Sequence, residues 1–231
     1  MLGHETYLSL DAESLLQRMD QSQIDLAIAR PMGAGLVVDS RAGNDLVLRA
    51  GPRIRGMVSA SPWWATKALE ELSRCRDEGA VGLFLDPLRQ GFFPTEPIAT
   101  PIYDLAEEFN WPVMIRTGAY VFADVLAVTE VARRYPRINF ILGFGGYADM
   151  WFEVCSAIGS VSNLHLDSSL LWADGIDEVV QSHGHSRVLF GSAEPRNRYR
   201  INLRSLARLD LSETARGAIL HQNAERLFQL A

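Results

Sequence analysis

The chain has 231 residues, 48% of them hydrophobic and 22% charged, and a formal net charge of −6. Such a length is ordinary for one α/β barrel, and the apolar content supports a sizeable core without disulfide or metal staples. The acidic balance and the lack of a dense Lys/Arg cluster argue against a nucleic-acid surface, and no apolar run reaches transmembrane length.

In chain order, only Glu5–Leu10 within the first ten residues has any strand character. A helix is predicted over Asp11–Gln21, with Asp11 as its N-cap, followed by a strand at Asp25–Ala29. The pattern then alternates: strand Arg55–Ala60 and helix Trp64–Glu78; strand Val81–Leu85 and helix Pro101–Asn110; strand Pro112–Arg116 and helix Val121–Arg134. It continues with strand Asn139–Gly143 and helix Ala148–Ile158, strand Asn163–Asp167 and helix Gly175–His183, and strand Arg187–Gly191 before helices Arg198–Leu209 and Ser212–Gln222. The strands are apolar with little alternation, as strands buried on both faces are. Alternating β and α segments with short links predict a parallel sheet with right-handed crossovers, and no linker divides residues 1–231 into separate domains.

Seven strands are an awkward number, because a parallel barrel closes most readily with eight. The expected architecture is therefore a TIM-type (β/α) barrel whose first strand is missing or atypical, leaving two open ladder edges. Cys75 and Cys155 stand far apart in unrelated contexts and are expected as reduced thiols of a cytoplasmic protein.

The segments PIYDLAEEFNWPVMIRTG (Pro101–Gly118), VARRYPRINFILGFGG (Val131–Gly146), NLHLDSS (Asn163–Ser169), RVLFGSAEP (Arg187–Pro195) and HQNAERLF (His221–Phe228) resemble the amidohydrolase-related family. RMDQSQIDLAIARP (Arg18–Pro31) and GAVGLFLDP (Gly79–Pro87) match its pattern in position and order, so the likeness runs from Leu15 onward. The resemblance implies a TIM-barrel hydrolase or decarboxylase that uses a divalent metal. It also implies a His-x-His pair ending the first strand, histidines ending the fifth and sixth, and an aspartate ending the eighth. Here the first pair has no counterpart, and the other positions hold Arg116, Phe144 and Ala193. A guanidinium offers no lone pair, and neither a phenyl nor a methyl group can ligate. The metal and cofactor expectation is accordingly none.

Side chains at the C-terminal ends of the strands form the mouth of such a barrel. The ligand-binding candidates are Trp63, Asp86, Arg116, Phe144, Tyr147, Ser168, Ser192 and Glu194, with Asp167 also at a strand end. Arg116, Asp86 and Glu194 are the catalytic candidates. Arg116 either holds a small anion through two parallel hydrogen bonds or pairs internally with Asp86 or Glu194. Glu194 is expected in an exposed or arginine-paired role, and Asp86, before Pro87, is equally a turn former. His183 and His185 fall at the N-terminal end of the last strand, away from the mouth, and His165 reads as a core residue. GFGGY (Gly143–Tyr147) lacks the features of a phosphate loop. The aromatics Trp63, Trp64, Phe92, Phe93, Trp151, Phe152 and Trp172 pack the rim, line a pocket or form a dimer face.

Three functions compete. One is a non-catalytic or altered barrel of amidohydrolase descent, a pseudoenzyme that binds a small anion or serves as a partner subunit. Another is a metal-independent enzyme built on Arg116. The last is a metal-dependent hydrolase or decarboxylase with a remodelled site. A homo-oligomer, or a partner covering the open edge, is the expected assembly.

Overall fold

The computed structural model describes every residue except Thr6, Tyr120 and Ala231, and leaves aside the side chains of Ala148 and Asp149. Among the described residues ten strands follow in chain order: β1 (Leu2–Glu5), β2 (Leu8–Leu10), β3 (Ala27–Ala29), β4 (Pro31–Gly33), β5 (Ile54–Val58), β6 (Gly82–Leu85), β7 (Val113–Arg116), β8 (Phe140–Gly143), β9 (Leu164–Asp167) and β10 (Val188–Leu189). Seven of them form one parallel sheet in the order β10-β9-β8-β7-β6-β5-β3, each strand beside its neighbour in sequence. All seven coincide with predicted strands, most of them one or two residues shorter.

The sheet curls into an incomplete barrel. Ile28 on the first strand and Leu189 on the last join Met57, Phe84, Met114 and Ile141 in one interior cluster. A separate outer layer, including Leu72, Val113, Leu142, Val154 and Val179, packs the strands against the helices. Period-two alternation separates the two layers. In β7, Met114 and Arg116 face inward, while Val113 and Ile115 face the helices.

The N-terminal residues do not supply an eighth barrel strand. β1 pairs antiparallel with β2 and parallel with β4, in a small separate sheet above the barrel. Strand character over Glu5–Leu10 is thus present in part, but it builds a lid sheet rather than the wall. The predicted helices form with shifted ends; the last begins at Glu213–Gly217 and continues as a π-helical turn over Ala218–Gln222.

The segment between Arg30 and Arg53, where the sequence pattern predicts no element, holds β4 and two helices, Ala34–Val37 and Ser40–Leu48. The longer helix is capped by Asp39, which accepts from Ala42 N. Gly43 and Asn44 lie inside it, and both are poor helix formers. Packing explains them. A Cβ on Gly43 would stand 2.1 Å from the Gly35 carbonyl oxygen. Asn44 is fully buried; its Oδ1 accepts from Ser59 N at 2.8 Å and its Nδ2 donates to Ser59 O at 3.0 Å. The helix is therefore pinned to the end of β5 by its least helical residues.

No helix among the described residues is long and apolar enough to cross a membrane. Both cysteines are free, Cys75 buried and Cys155 half-buried.

The Gly35–Gly43 contact yields a prediction. Gly43→Ala should improve intrinsic helix propensity yet destabilise the protein by about 1–3 kcal/mol, because overpacking against backbone cannot relax by rotamer change. Urea denaturation measures the difference, and equal or greater stability would remove the packing explanation.

Candidate active site at the barrel mouth

The mouth is assembled from inward-facing positions at the tops of the strands. Arg116 ends β7 and lies in register with Gly143 of β8, and Asp167 ends β9. Arg30 follows β3, Asp86 follows β6 and Phe144 follows β8. Arg116 pairs with Asp86, Nη1 lying 3.3 Å from Oδ1 and 3.2 Å from Oδ2. That is the internal pairing anticipated for Arg116, made with Asp86 and not with Glu194. Asp86 also caps the short helix Pro87–Gln90 by accepting from Arg89 N, so its turn-forming and ionic roles coexist.

The pair extends outward as a chain of charges. Arg89 reaches Asp86 at 3.7 Å and also bonds Glu5 of β1, which lies 3.6 Å from Arg196. Burial opposes ionisation of Glu5, but the Arg89 hydrogen bond and the charges of Arg89, Arg196 and Arg116 outweigh it and hold the carboxyl below its usual range. The lid sheet is thus tied to the mouth electrostatically.

Sequence reasoning missed Arg30. The residue is only 8% exposed, and its guanidinium lies over the Phe84 ring, with Cζ 3.6 Å from the ring centroid and 4.9 Å from that of Phe144. Burial pushes its pKa down to about 9; Asp86 and Asp167 partly offset this, whereas Arg116 and Arg89 add to it. It remains a cation at neutral pH. Among the described residues its side chain makes no hydrogen bond or ion pair within 4 Å, and it lines a cavity of about 810 Å³. The signal was available, since Arg30 stands directly after a predicted strand, where this fold places functional groups.

Asp167 is buried at the end of β9. Its Oδ2 accepts from Phe144 N at 2.9 Å and from Ser169 Oγ at 2.8 Å, and its Oδ1 accepts from Ser169 N at 3.0 Å. Burial raises its pKa despite those donors and the Arg30 charge. Phe144, held by this contact, sits at φ 68°, a left-handed conformation costly for a side chain of that size. Gly191 permits the close approach, because a Cβ there would stand 1.9 Å from Asp167 Oδ1.

The other candidates are dispersed. Glu194 is buried and arginine-paired rather than exposed, but its partner is Arg18 of the first helix, 2.6 Å away; its Oε1 accepts from Tyr199 N. Ser168 is buried beneath Gly191, whose N–H it accepts, and Ser192 accepts from Glu194 N. Trp63 is mostly exposed and donates Nε1–H to the Gln90 carbonyl; Tyr147 is exposed at the rim. His165 sits one layer below the mouth, hydrogen-bonded to Asn139, with its pKa pushed down to about 4 by burial and by Arg187 and Arg226. His183 ends the helix before β10 and His185 lies in the link that leads into that strand, while His221 pairs with Glu225 on the surface.

The implied divalent ion can be tested against this donor set. Two guanidinium groups point into the mouth, and both carboxylates facing them already accept two or three hydrogen bonds. Among the described residues no three His, Cys, Asp or Glu side chains converge as a metal site. The donor set does not fit an ion held by imidazole and carboxylate.

Removing the Asp86 charge leaves Arg30 and Arg116 facing each other without their shared anion. Asp86→Asn should cost about 3 kcal/mol, as breaking a buried pair from one side does. The apolar double replacement Asp86→Leu with Arg116→Met should recover much of that loss. Chemical denaturation of the three proteins is the check; a loss under about 1 kcal/mol for Asp86→Asn would show that the pair does not hold the mouth together.

With this geometry in place, comparison with known proteins identifies the lineage. A TIM-barrel protein of Bordetella bronchiseptica aligns over 94% of this chain and 82% of its own, at 22% identity and a TM-score of 0.78. A 2,6-dihydroxybenzoate decarboxylase from Rhizobium aligns over 96% and 89%, at 18% identity and a TM-score of 0.78. A 5-carboxyvanillate decarboxylase from Sphingomonas paucimobilis aligns over 96% and 84%, at 16% identity and a TM-score of 0.77. These identities establish a shared fold and nothing finer. No curated protein matches in sequence. The model of the family described as amidohydrolase matches residues 13–230, nearly the whole chain, and the chain belongs to that family.

Proposed function

We propose that this amidohydrolase-family barrel works without the family's metal, as a non-catalytic or altered member that binds a small carboxylate at the mouth. One observation carries the reading: the Arg30 guanidinium is stacked on Phe84, nearly buried, and without an anionic partner among the described residues, beside a cavity of about 810 Å³. A buried guanidinium without a partner is costly, and a ligand carboxylate bonded in parallel to its N–H groups offsets that cost. Arg116 is committed to Asp86, so it adds positive potential rather than the primary contact. The same two cations repel a divalent metal from the position between them. Met57, Met114, Leu189 and Phe190 also line the cavity and favour a ligand with an apolar body behind its carboxylate.

The alternative is a metal-dependent hydrolase or decarboxylase with a remodelled site, favoured by family membership. Two measurements separate the readings. Elemental analysis of the purified protein should give less than about 0.2 equivalents of zinc, manganese or iron. Titration with benzoate should show saturable binding that Arg30→Gln weakens at least about tenfold, the loss typical of one charge-assisted contact. Stoichiometric metal, or benzoate binding indifferent to Arg30, would overturn the proposal. A homodimer belongs to the same reading: Trp63, Trp64, Trp151, Phe152 and Trp172 are all exposed. Light scattering at micromolar concentration should give twice the 25.7 kDa chain mass.

A further inference from the structure

Four consecutive residues after β8 take positive φ: Phe144 at 68°, Gly145 at 58°, Gly146 at 74° and Tyr147 at 44°. Glycine adopts that conformation without penalty, whereas a phenylalanine or a tyrosine is strained in it. Such a turn persists only where its surroundings hold it.

The clamp comes from the two neighbouring strands. On one side Asp167, ending β9, accepts the Phe144 N–H through Oδ2 at 2.9 Å, and Asp167 is itself fixed by Ser169, whose N–H and hydroxyl both donate to it. On the other side Thr117, directly after β7, accepts the Gly146 N–H at 2.9 Å, and its own hydroxyl donates to the Gly143 carbonyl at 2.8 Å. Asp167, Ser169 and Thr117 are all buried, where such bonds are electrostatically stronger than in water.

What the clamp secures is the place of one ring. Phe144 is buried, and its ring centroid lies 4.9 Å from Arg30 Cζ and 5.7 Å from Arg116 Cζ, both within the range of a cation–π contact. The Phe84 ring lies 3.6 Å from Arg30 Cζ. A planar cation held against ring faces presents its N–H groups in its own plane, the direction from which a carboxylate forms two parallel hydrogen bonds. Released from the clamp, residue 144 would return to ordinary negative φ and carry the ring away from both cations.

Asp167 has a second route to Arg30, because its charge attracts the guanidinium at longer range. Direct contact is not that route: both Asp167 oxygens are taken up by Phe144 and Ser169, and no hydrogen bond joins Asp167 to Arg30 among the described residues. We infer that Asp167 is a positioning residue of the mouth: through the Phe144 N–H it holds the Phe144 ring in place and so orients Arg30 for a carboxylate. This role rests on the reading of Arg30 as a carboxylate site.

The test compares the full chain with its Asp167→Ala, Phe144→Gly and double variants. Glycine at position 144 removes the ring and the strain together, so it needs no clamp. One readout uses no ligand: the NMR signal of the Arg30 Nε–H, identified by its loss in Arg30→Gln, senses the Phe144 ring current. Asp167→Ala should move that signal to where Phe144→Gly puts it, and the double variant should move it no further. The other readout is calorimetric titration with benzoate. Each single substitution should weaken binding about fivefold, the worth of one cation–π contact, and the double variant should bind no more weakly than either. Losses that multiply would show Asp167 acting through its charge, and an Arg30 signal unmoved by Asp167→Ala would show that it does not place the ring; either result overturns the proposal. If Asp167→Ala folds only in the Phe144→Gly background, the clamp stands, since the strained residue alone required it. Failure to fold in both backgrounds would assign Asp167 to the barrel at large and overturn the proposal. Should the wild type ignore benzoate, the carboxylate reading falls, and the Arg30 signal still decides whether Asp167 positions the ring.

Discussion

Two like-charged guanidinium groups share the mouth of this barrel, and the arrangement holds because carboxylates and aromatic faces surround them. Arg116 has Asp86; Arg30 has the ring faces of Phe84 and Phe144 and, at longer range, the charges of Asp86 and Asp167. The four charges, Arg30, Asp86, Arg116 and Asp167, come from four different strand ends, so the sheet must curl for them to balance. Glu5 and Arg89 carry the network to the lid sheet, which makes the N-terminal residues part of the electrostatic design.

The fold tolerates a missing wall because its neighbours share the burden of closing it. Asn223 and Ile219 take up outward groups of β10, and the first helix is tied to the mouth through Arg18 and Glu194. What they leave uncovered is the β3 edge. There the backbone groups of β3 have no ladder partner among the described residues. The mouth with its two guanidinium groups and the open β3 edge line one cavity, with charge above and apolar walls below.

Legibility from sequence followed locality. All seven barrel strands could be read because continuous apolar runs and Pro/Gly punctuation are local signals, as in Val81–Leu85 and Asn139–Gly143. The helix Ser40–Leu48 escaped because Gly43 and Asn44 were chosen for contacts with Gly35 and Ser59, which propensity cannot anticipate. In the site, strand-end position was enough to nominate Arg116, Asp86 and Asp167, yet it could not say which acid Arg116 would meet. Glu194 looked equally eligible and instead faces Arg18, contributed from 176 residues away.

Sequence by itself determined the class of fold, the number of barrel strands and the chemical character of the strand ends, because periodicity and residue type act over a few residues. Only the tertiary structure decided that Arg30 joins the mouth, that Asp86 rather than Glu194 takes Arg116, and that β1 stands above the wall instead of within it. Those outcomes depend on where a curled sheet brings distant strand ends, and on which charge finds a partner at hydrogen-bonding distance. No single segment carries that information.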